Sequence, residues 1–290
     1  MILLTGAAGK TGRAVIRALV TRGAVVRALV HRPEQASNVE ALGASEVLAG
    51  DMRDRATMDR AAQGARAVYL ICPNVHPEEV VMGQVAIAAA RRAGVERFVY
   101  HSVLHPQVEA MPHHWLKMRV EAKLFASGLA STILQPGTYM QNVLAHWDRV
   151  RHEGVYPVPY PVETRLSLVD LVDVAEAAAV VLTEPGHAGA TYELAGPEAL
   201  RQTEIANTLG LQLGRAVHAQ AVPLEDWERG ARAAGLGTYQ VETLLKMFRY
   251  YARYGFCGNP KVLGWLLGRP LTTFAEYVAR AGAVAGQAAA

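Results

Sequence analysis

Cysteine is nearly absent from this chain, with only Cys72 and Cys257 in 290 residues. Two cysteines make no metal or redox spacing and are too few for a disulfide framework. No apolar run approaches the roughly 20 residues that span a bilayer. Blocks of like charge are missing too, and the net formal charge is only +3. Charge therefore gives no support to nucleic-acid or membrane-surface binding. The chain also opens without a charged n-region followed by an apolar h-region, so it reads as a soluble, cytoplasmic protein. No internal repeat is visible. What remains is 51% hydrophobic and 19% charged, ample material for a buried core.

One further absence is local. Met1 to Arg32 reads as strand, turn, helix and strand: an apolar run at Ile2 to Leu4, glycines at Gly6, Gly9 and Gly12, then Val15, Ile16, Leu19 and Val20 at helical spacing. A second apolar strand runs from Val25 to Val30. Glycines between a buried strand and the start of a helix let a dinucleotide pyrophosphate meet unpaired backbone N–H groups. The spacing is G-x-x-G-x-x-G rather than G-x-G-x-x-G, but strand before, helix after and second strand agree with a dinucleotide site. An NAD-type site has Asp or Glu about 20 residues beyond the glycines to accept from the ribose 2′-OH. This second strand ends Leu29-Val30-His31-Arg32-Pro33, with no acid at its tip. Arg32 can instead fork onto a 2′-phosphate, with His31 as a further donor, which favours NADP(H) over NAD(H). A solvated arginine at a strand end is the plain alternative.

Strand-like and helix-like runs then alternate to about residue 183. The pattern predicts helices over Pro33 to Leu42, from Arg55, over Glu78 to Ala93 and over Trp115 to Ser127, the last two closed by Gly94 and Gly128. Strands are predicted at Glu46 to Ala49, Ala67 to Cys72, Arg97 to Ser102 and Ser131 to Leu134, the last broken by Gln135-Pro136-Gly137. This order with near-continuous apolar strands means an α/β, Rossmann-type doubly wound parallel sheet. From Tyr139 the pattern loosens. Tyr156 to Pro161 reads as a proline-aromatic loop that cannot be a central strand. Leu166 to Val169 and Thr191 to Leu194 read as short strands around a helix from Asp170 to Leu182. Beyond Gly196-Pro197 the segments are mostly helical, with a strand at Ala216 to Val222 and a tail after Arg280 with little to pack. The expected division is a dinucleotide-binding domain over 1–155, with 165–196 returning to it, and a smaller substrate-side lobe over 197–290.

These residues together carry a family resemblance. Thr5-Gly-Ala-Ala-Gly-Lys-Thr-Gly12, Gly50-Asp51, Arg97-Phe-Val-Tyr-His-Ser102 and Lys117-x-x-x-Glu121 followed by Ser127-Gly-Leu resemble the NmrA-like branch of the atypical short-chain dehydrogenases/reductases. Thr132-Ile-Leu-Gln-Pro136, Val169 to Ala175, Tyr192 to Pro197 and Gly268-Arg-Pro270 extend the match over nearly the whole chain. The resemblance implies a Rossmann domain, NADP(H) as cofactor and a small-molecule substrate, and it leaves a homodimer open. Family members include quinone-type and other NADPH-dependent reductases, and redox-sensing regulators without turnover. Carried over to this sequence, Thr5, Gly6, Gly9, Lys10, Thr11 and Gly12 form the phosphate turn, and Arg32 is the post-strand arginine. Asp51 stands where the adenine is usually met, or is a helix N-cap. Cys72 ends the strand that passes the cofactor ribose, or is a small buried residue.

The resemblance also exposes the last absence. Short-chain reductases of simple carbonyls use a serine with Tyr-x-x-x-Lys, the tyrosine protonating the developing alkoxide. Ser102 and Lys117 fill two of these positions, with Lys117 also expected on the nicotinamide ribose, but His113 stands where the tyrosine should be. Either His113 or His114 donates the proton, or solvent does. The solvent route is preferred, since an electron-poor acceptor such as a quinone needs no strong acid beside it. His101, His105, His113 and His114 suggest polar cleft lining rather than a metal site. Asp170 and Asp173 read as a cap and a first-turn acid. Tyr139, Trp147, Tyr156 and Tyr160 could wall a planar substrate or simply pack. The leading expectation is an NADPH-dependent oxidoreductase of a small planar electrophile such as a quinone. The alternative is a non-catalytic NADP(H) sensor.

Overall fold

A computed structural model describes residues 1–287. The first strand, β1 (Ile2–Leu4), is buried throughout and leads by the glycine turn into α1 (Lys10–Thr21). α1 buries Val15, Ile16 and Leu19 and turns its arginines outward, as its spacing demands. β2 (Val26–Val30), α2 (Ala36–Glu40), β3 (Glu46–Ala49) and α3 (Arg55–Ala62) follow. Then come β4 (Ala67–Leu70), α4 (Glu79–Arg92), β5 (Arg97–His101), α5 (Pro112–Phe125) and β6 (Ser131–Pro136). The second half holds β7 (Thr138–Tyr139), α6 (Trp147–Glu153), β8 (Val155–Val158), β9 (Arg165–Val169), α7 (Leu171–Thr183), β10 (Thr191–Leu194) and β11 (Ala199–Arg201). It closes with α8 (Gln202–Leu213), β12 (His218–Ala221), α9 (Leu224–Ala233), α10 (Thr238–Tyr254), α11 (Lys261–Leu267) and α12 (Phe274–Gln287).

The main sheet has seven strands in the order β10-β6-β5-β4-β1-β2-β3. From β6 to β3 every pair is parallel, with Leu4 opposite Ala28 on one side and Tyr69 on the other. The fold is therefore the doubly wound α/β sheet that the alternation predicted. After β1 the chain runs outward through β2 and β3, then returns past β1 to build β4, β5 and β6. The reversal sits between β1 and β4, and ligands of open α/β sheets bind outside the strand ends at such a switch point. Leu3, Leu4, Val68, Tyr69, Phe98 and Tyr100 are buried along these strands, each worth about 1.5–3 kcal/mol of apolar burial.

The chain divides into two compact units. One comprises residues 1–109, 113–135 and 174–192, and the other 110–112, 136–173 and 193–290. The second unit contains a three-stranded sheet in the order β11-β9-β7 and a two-stranded parallel sheet of β8 and β12. In it Tyr160 lies edge-on to Phe248 and Tyr251 with ring centroids 6.2 and 6.3 Å away, and Tyr156 is buried. Those two aromatics are packing; Tyr139 and Trp147 are half-buried.

Several local expectations change. Val155–Val158 is a strand rather than a loop, with Pro157 opposite Gln220. A two-stranded sheet consists only of edges, the position where proline is tolerated. β6 runs on through Gln135 and Pro136 for the same kind of reason, since a terminal proline interrupts no later ladder bond. The expected helix over Pro33 to Leu42 is a 3₁₀ turn at Pro33–Gln35 followed by the short α2. β7 and β11 have two and three residues and leave no readable alternation. α5 starts at Pro112, not Trp115; proline suits the first helical turn, where its missing N–H is no loss. α12 carries the expected loose tail as helix to Gln287, and residues 288–290 lie outside the described residues. Among the described residues no helix is long and apolar enough to cross a membrane.

Candidate cofactor and substrate site

The glycine turn is built by three different constraints. Gly6 has φ +60°, a left-handed conformation, and a Cβ there would meet Ile71 O at 2.9 Å. A Cβ on Gly12 would press into the turn itself, 2.7 Å from Ala7 Cα. Gly9 differs. It is exposed, its backbone is extended at φ −72° and ψ 166°, and its Cβ would meet only Gly6 O at 3.3 Å. No side chain of the protein fills the space beside Gly9; only the Gly6 carbonyl stands close to it. That space fronts the first turn of α1, which has no side-chain cap and no acidic residue, so its leading N–H groups are available to an anion. A dinucleotide pyrophosphate fits this cradle.

The other turn residues divide. Thr5 is buried, and its hydroxyl donates to Ile71 O and accepts from Ile71 N, both at 2.9 Å. It therefore braces β1 to the end of β4, and its hydroxyl is spent on that bond pair. Lys10 is exposed and Thr11 half-exposed at the start of α1. Arg32 is exposed just beyond β2, where its backbone N–H donates to Gln35 Oε1 at 3.0 Å.

Asp51 is not the helix cap. Asp54 caps α3, accepting from Ala56 N at 3.3 Å and Thr57 N at 2.9 Å. Asp51 instead takes a fork from Arg53, at 3.0 Å from Nε and 2.6 Å from Nη2, and also accepts the Arg53 backbone N–H. Arg53 reaches on to Glu78 at 2.6 Å. These hydrogen bonds from Arg53 hold the Asp51 carboxyl down at about 2, with His31 contributing. Cys72 is buried, and both burial and the nearby Glu79 carboxylate push its thiol up. It is a packed residue rather than a reactive one.

Lys117 is buried, and its ammonium donates to Glu79 Oε1 at 2.9 Å and to His101 O at 3.2 Å. The same Glu79 oxygen accepts from Tyr100 OH at 2.8 Å, and Glu79 Oε2 is buried without a hydrogen-bond partner. Lys117, expected on the nicotinamide ribose, is in the structure one end of a buried ion pair with Glu79. Ser102 follows β5 directly and donates to Glu121 Oε1. Gln135 Nε2 donates to both Glu121 oxygens at 3.1 Å. Glu79, Tyr100 and Gln135 escape sequence reasoning, because a carboxylate ahead of an apolar helix looks like an ordinary first-turn acid. Glu121 had a signal in its four-residue spacing from Lys117.

Three of the histidines, His101, His113 and His114, are held neutral near neutral pH. Burial, aided by Lys117, pushes His101 down to about 3 and His113 well below its usual range. Burial brings His114 to about 4, and its Nδ1 donates to Leu104 O at 2.9 Å. No group of three or more His, Cys, Asp or Glu could hold a metal ion among the described residues. Asp170 caps α7, accepting Val172 N at 3.0 Å, and Asp173 accepts from Arg269 and Thr272, so neither is an acid/base group.

A stability consequence follows. A histidine held neutral in the fold takes up its proton only on unfolding, so stability rises with pH between the folded and unfolded values. For His114 that window runs from about 4 to 6.5. Urea denaturation at pH 4.5 should therefore give a stability lower than at pH 7 by roughly 1–3 kcal/mol from this residue. His114→Asn should flatten that slope; an unchanged slope would mean that His114 titrates normally.

The model of the NmrA-like family matches residues 1–277. An NAD(P)H azoreductase from Xenophilus azovorans is 32% identical over 99% of this chain and 100% of its own length. Quinone oxidoreductase 2 from Escherichia coli K12 is 31% identical over 96% of this chain and 97% of its own. A crystal structure of an NADPH-dependent quinone oxidoreductase from Escherichia coli, complexed with NADPH, superposes with a TM-score of 0.86 at 30% identity, covering 97% of this chain and all of that one.

Proposed function

The chain belongs to the NmrA-like family, and from that premise we propose that it is an NADPH-dependent oxidoreductase of a small planar electrophile such as a quinone. Its relatives named for azo and quinone reduction support the reaction class. The observation that carries the cofactor part is the exposed face of Gly9, which no side chain covers, before an uncapped helix N-terminus. Gly6, Gly9, Lys10, Thr11 and Gly12 would hold the pyrophosphate, and Arg32 the 2′-phosphate. A bound NADPH supplies hydride. Around it the chain's own task is to orient the substrate, exclude water and manage one proton.

Arg32 with no acid at the strand tip supports NADPH over NADH. Arg32→Asp should weaken NADPH by about 1–3 kcal/mol, the worth of a charge-assisted contact, and leave NADH less affected. Equal dissociation constants for both cofactors in the parent would remove Arg32 from the phosphate site.

The proton does not come from a histidine cation on this reading, since burial keeps His113 and His114 neutral. His113→Asn should leave kcat/KM within a few-fold of the parent between pH 6 and 8. A loss in the 10²–10⁴-fold range typical of a general acid would reinstate it.

The second reading is a binding protein that senses NADP(H), and the missing tyrosine supports it equally. Adding a quinone to the NADPH-loaded protein decides between them. The oxidoreductase consumes the reduced cofactor and forms hydroquinone in equal amount; the sensor leaves the cofactor reduced. A cytoplasmic location, supported by two cysteines that form no disulfide, and a homodimer complete the proposal.

A further inference from the structure

We propose that Glu121 is the acid that protonates the reduced substrate, and that Ser102 carries the proton from it to the carboxyl edge of the sheet. The inference rests on the oxidoreductase reading above and names the proton donor which that reading leaves open.

Three ionisable side chains are packed between α4, α5, β5 and β6. They are one ammonium, Lys117, and two carboxyls, Glu79 at 0% exposure and Glu121 at 3%. Ionising all three would leave a net negative charge out of water, which is costly. One carboxyl is better off holding a proton, and the hydrogen bonds say which. Glu79 has the ammonium at 2.9 Å and the Tyr100 hydroxyl at 2.8 Å. Glu121 has only neutral partners: the Gln135 amide, and the Ser102 hydroxyl, which donates to Oε1 of the carboxylate and can accept there from the protonated acid. Burial accordingly raises the Glu121 carboxyl above its usual range, against the lowering pull of Ser102, Gln135 and Lys117.

Ser102 offers the proton a path out. A serine hydroxyl can accept one proton while giving up another. Ser102 stands immediately after His101, the last residue of β5, at the sheet edge where ligands of this fold sit. In the step, the substrate oxygen takes the Ser102 hydroxyl proton as Ser102 Oγ takes the carboxyl proton of Glu121. Glu121 is left as carboxylate and recovers a proton from water after the product leaves. With hydride from the reduced nicotinamide, the substrate has gained one hydride and one proton, which turns quinone into hydroquinone.

Infrared spectroscopy of the purified full chain reads the acid without any substrate. A carboxylic C=O band, shifted in D₂O, should persist in the parent at pH values where an ordinary glutamate is already ionised. It should be missing from Glu121→Gln. Should Glu121→Gln fail to fold, Gln135→Arg gives Glu121 a cationic partner and should also remove the band. Ser102→Ala should keep the band and NADPH affinity yet lose roughly 10²-fold or more in kcat/KM, the lower range of general acid catalysis. In the parent kcat/KM should fall as pH rises through the titration of that band.

A parent without the band, or Ser102→Ala within a few-fold of the parent, overturns the inference while leaving the oxidoreductase reading standing. A parent that keeps the band but oxidises no NADPH with any quinone instead sinks the oxidoreductase reading, and the relay with it.

Discussion

Gly9→Val should abolish measurable NADPH binding while the protein stays folded. The backbone at Gly9 is extended, a conformation that valine adopts readily, and no side chain lies within 4 Å of a Cβ built there. Only the Gly6 carbonyl, 3.3 Å from that Cβ, has to give slightly, so the variant should fold with a modest loss of stability. A pyrophosphate approaching the first turn of α1 would meet the valine methyls instead of the backbone. Losing two or more hydrogen bonds to a charged group, each about 1.5–3 kcal/mol, means at least ~100-fold in Kd. Gly12→Val is the contrasting variant. Its side chain would be driven into Gly6 and Ala7, so it should lose about 1–3 kcal/mol of stability by overpacking, whether or not cofactor is present. If Gly9→Val is folded by circular dichroism and binds NADPH like the parent, the phosphate seat is elsewhere.

Lys117→Met should destabilise the protein by about 3–5 kcal/mol, because it leaves Glu79 buried with its charge unpaired. The pair lies 2.9 Å apart, with side-chain exposures of 7% and 0%, so solvent cannot compensate. Replacing both ends, with Lys117→Met and Glu79→Leu together, should restore most of the loss, since apolar groups of similar volume often replace a buried pair without cost. Chemical denaturation of the two variants gives both numbers. A single variant within about 1 kcal/mol of the parent, combined with weakened NADPH, would return Lys117 to the role of cofactor ligand.

How far such features can be read from sequence depends on how local their causes are. The glycine turn is legible because strand, turn and helix constraints all fall within the first 21 residues. The sheet is legible because strands buried on both faces must be apolar throughout. Asp54 rather than Asp51 capping α3 was hidden by one turn of loop, since both carboxylates precede the helix. Pro157 misled because a proline argues against a central strand and says nothing about a two-stranded edge. The Glu79–Lys117 pair joins residues 38 positions apart, and no spacing rule reaches that far. Gln135 beside Glu121 is similar: only pairing β6 with β5 brings the amide under the helix. The histidines carried a strong type signal and a weak positional one. The burial of His113 and His114 in the first turn of α5 depends on Pro112 starting that helix earlier than the apolar pattern suggests.

The most direct test of the account is a comparison of kcat/KM for NADPH and NADH oxidation by the purified protein with a quinone and with a simple ketone. Efficient turnover of the quinone is expected with NADPH, weaker turnover with NADH, and little or none with the ketone. Turnover of the ketone as fast as the quinone, or no oxidation of bound NADPH by either, would contradict it.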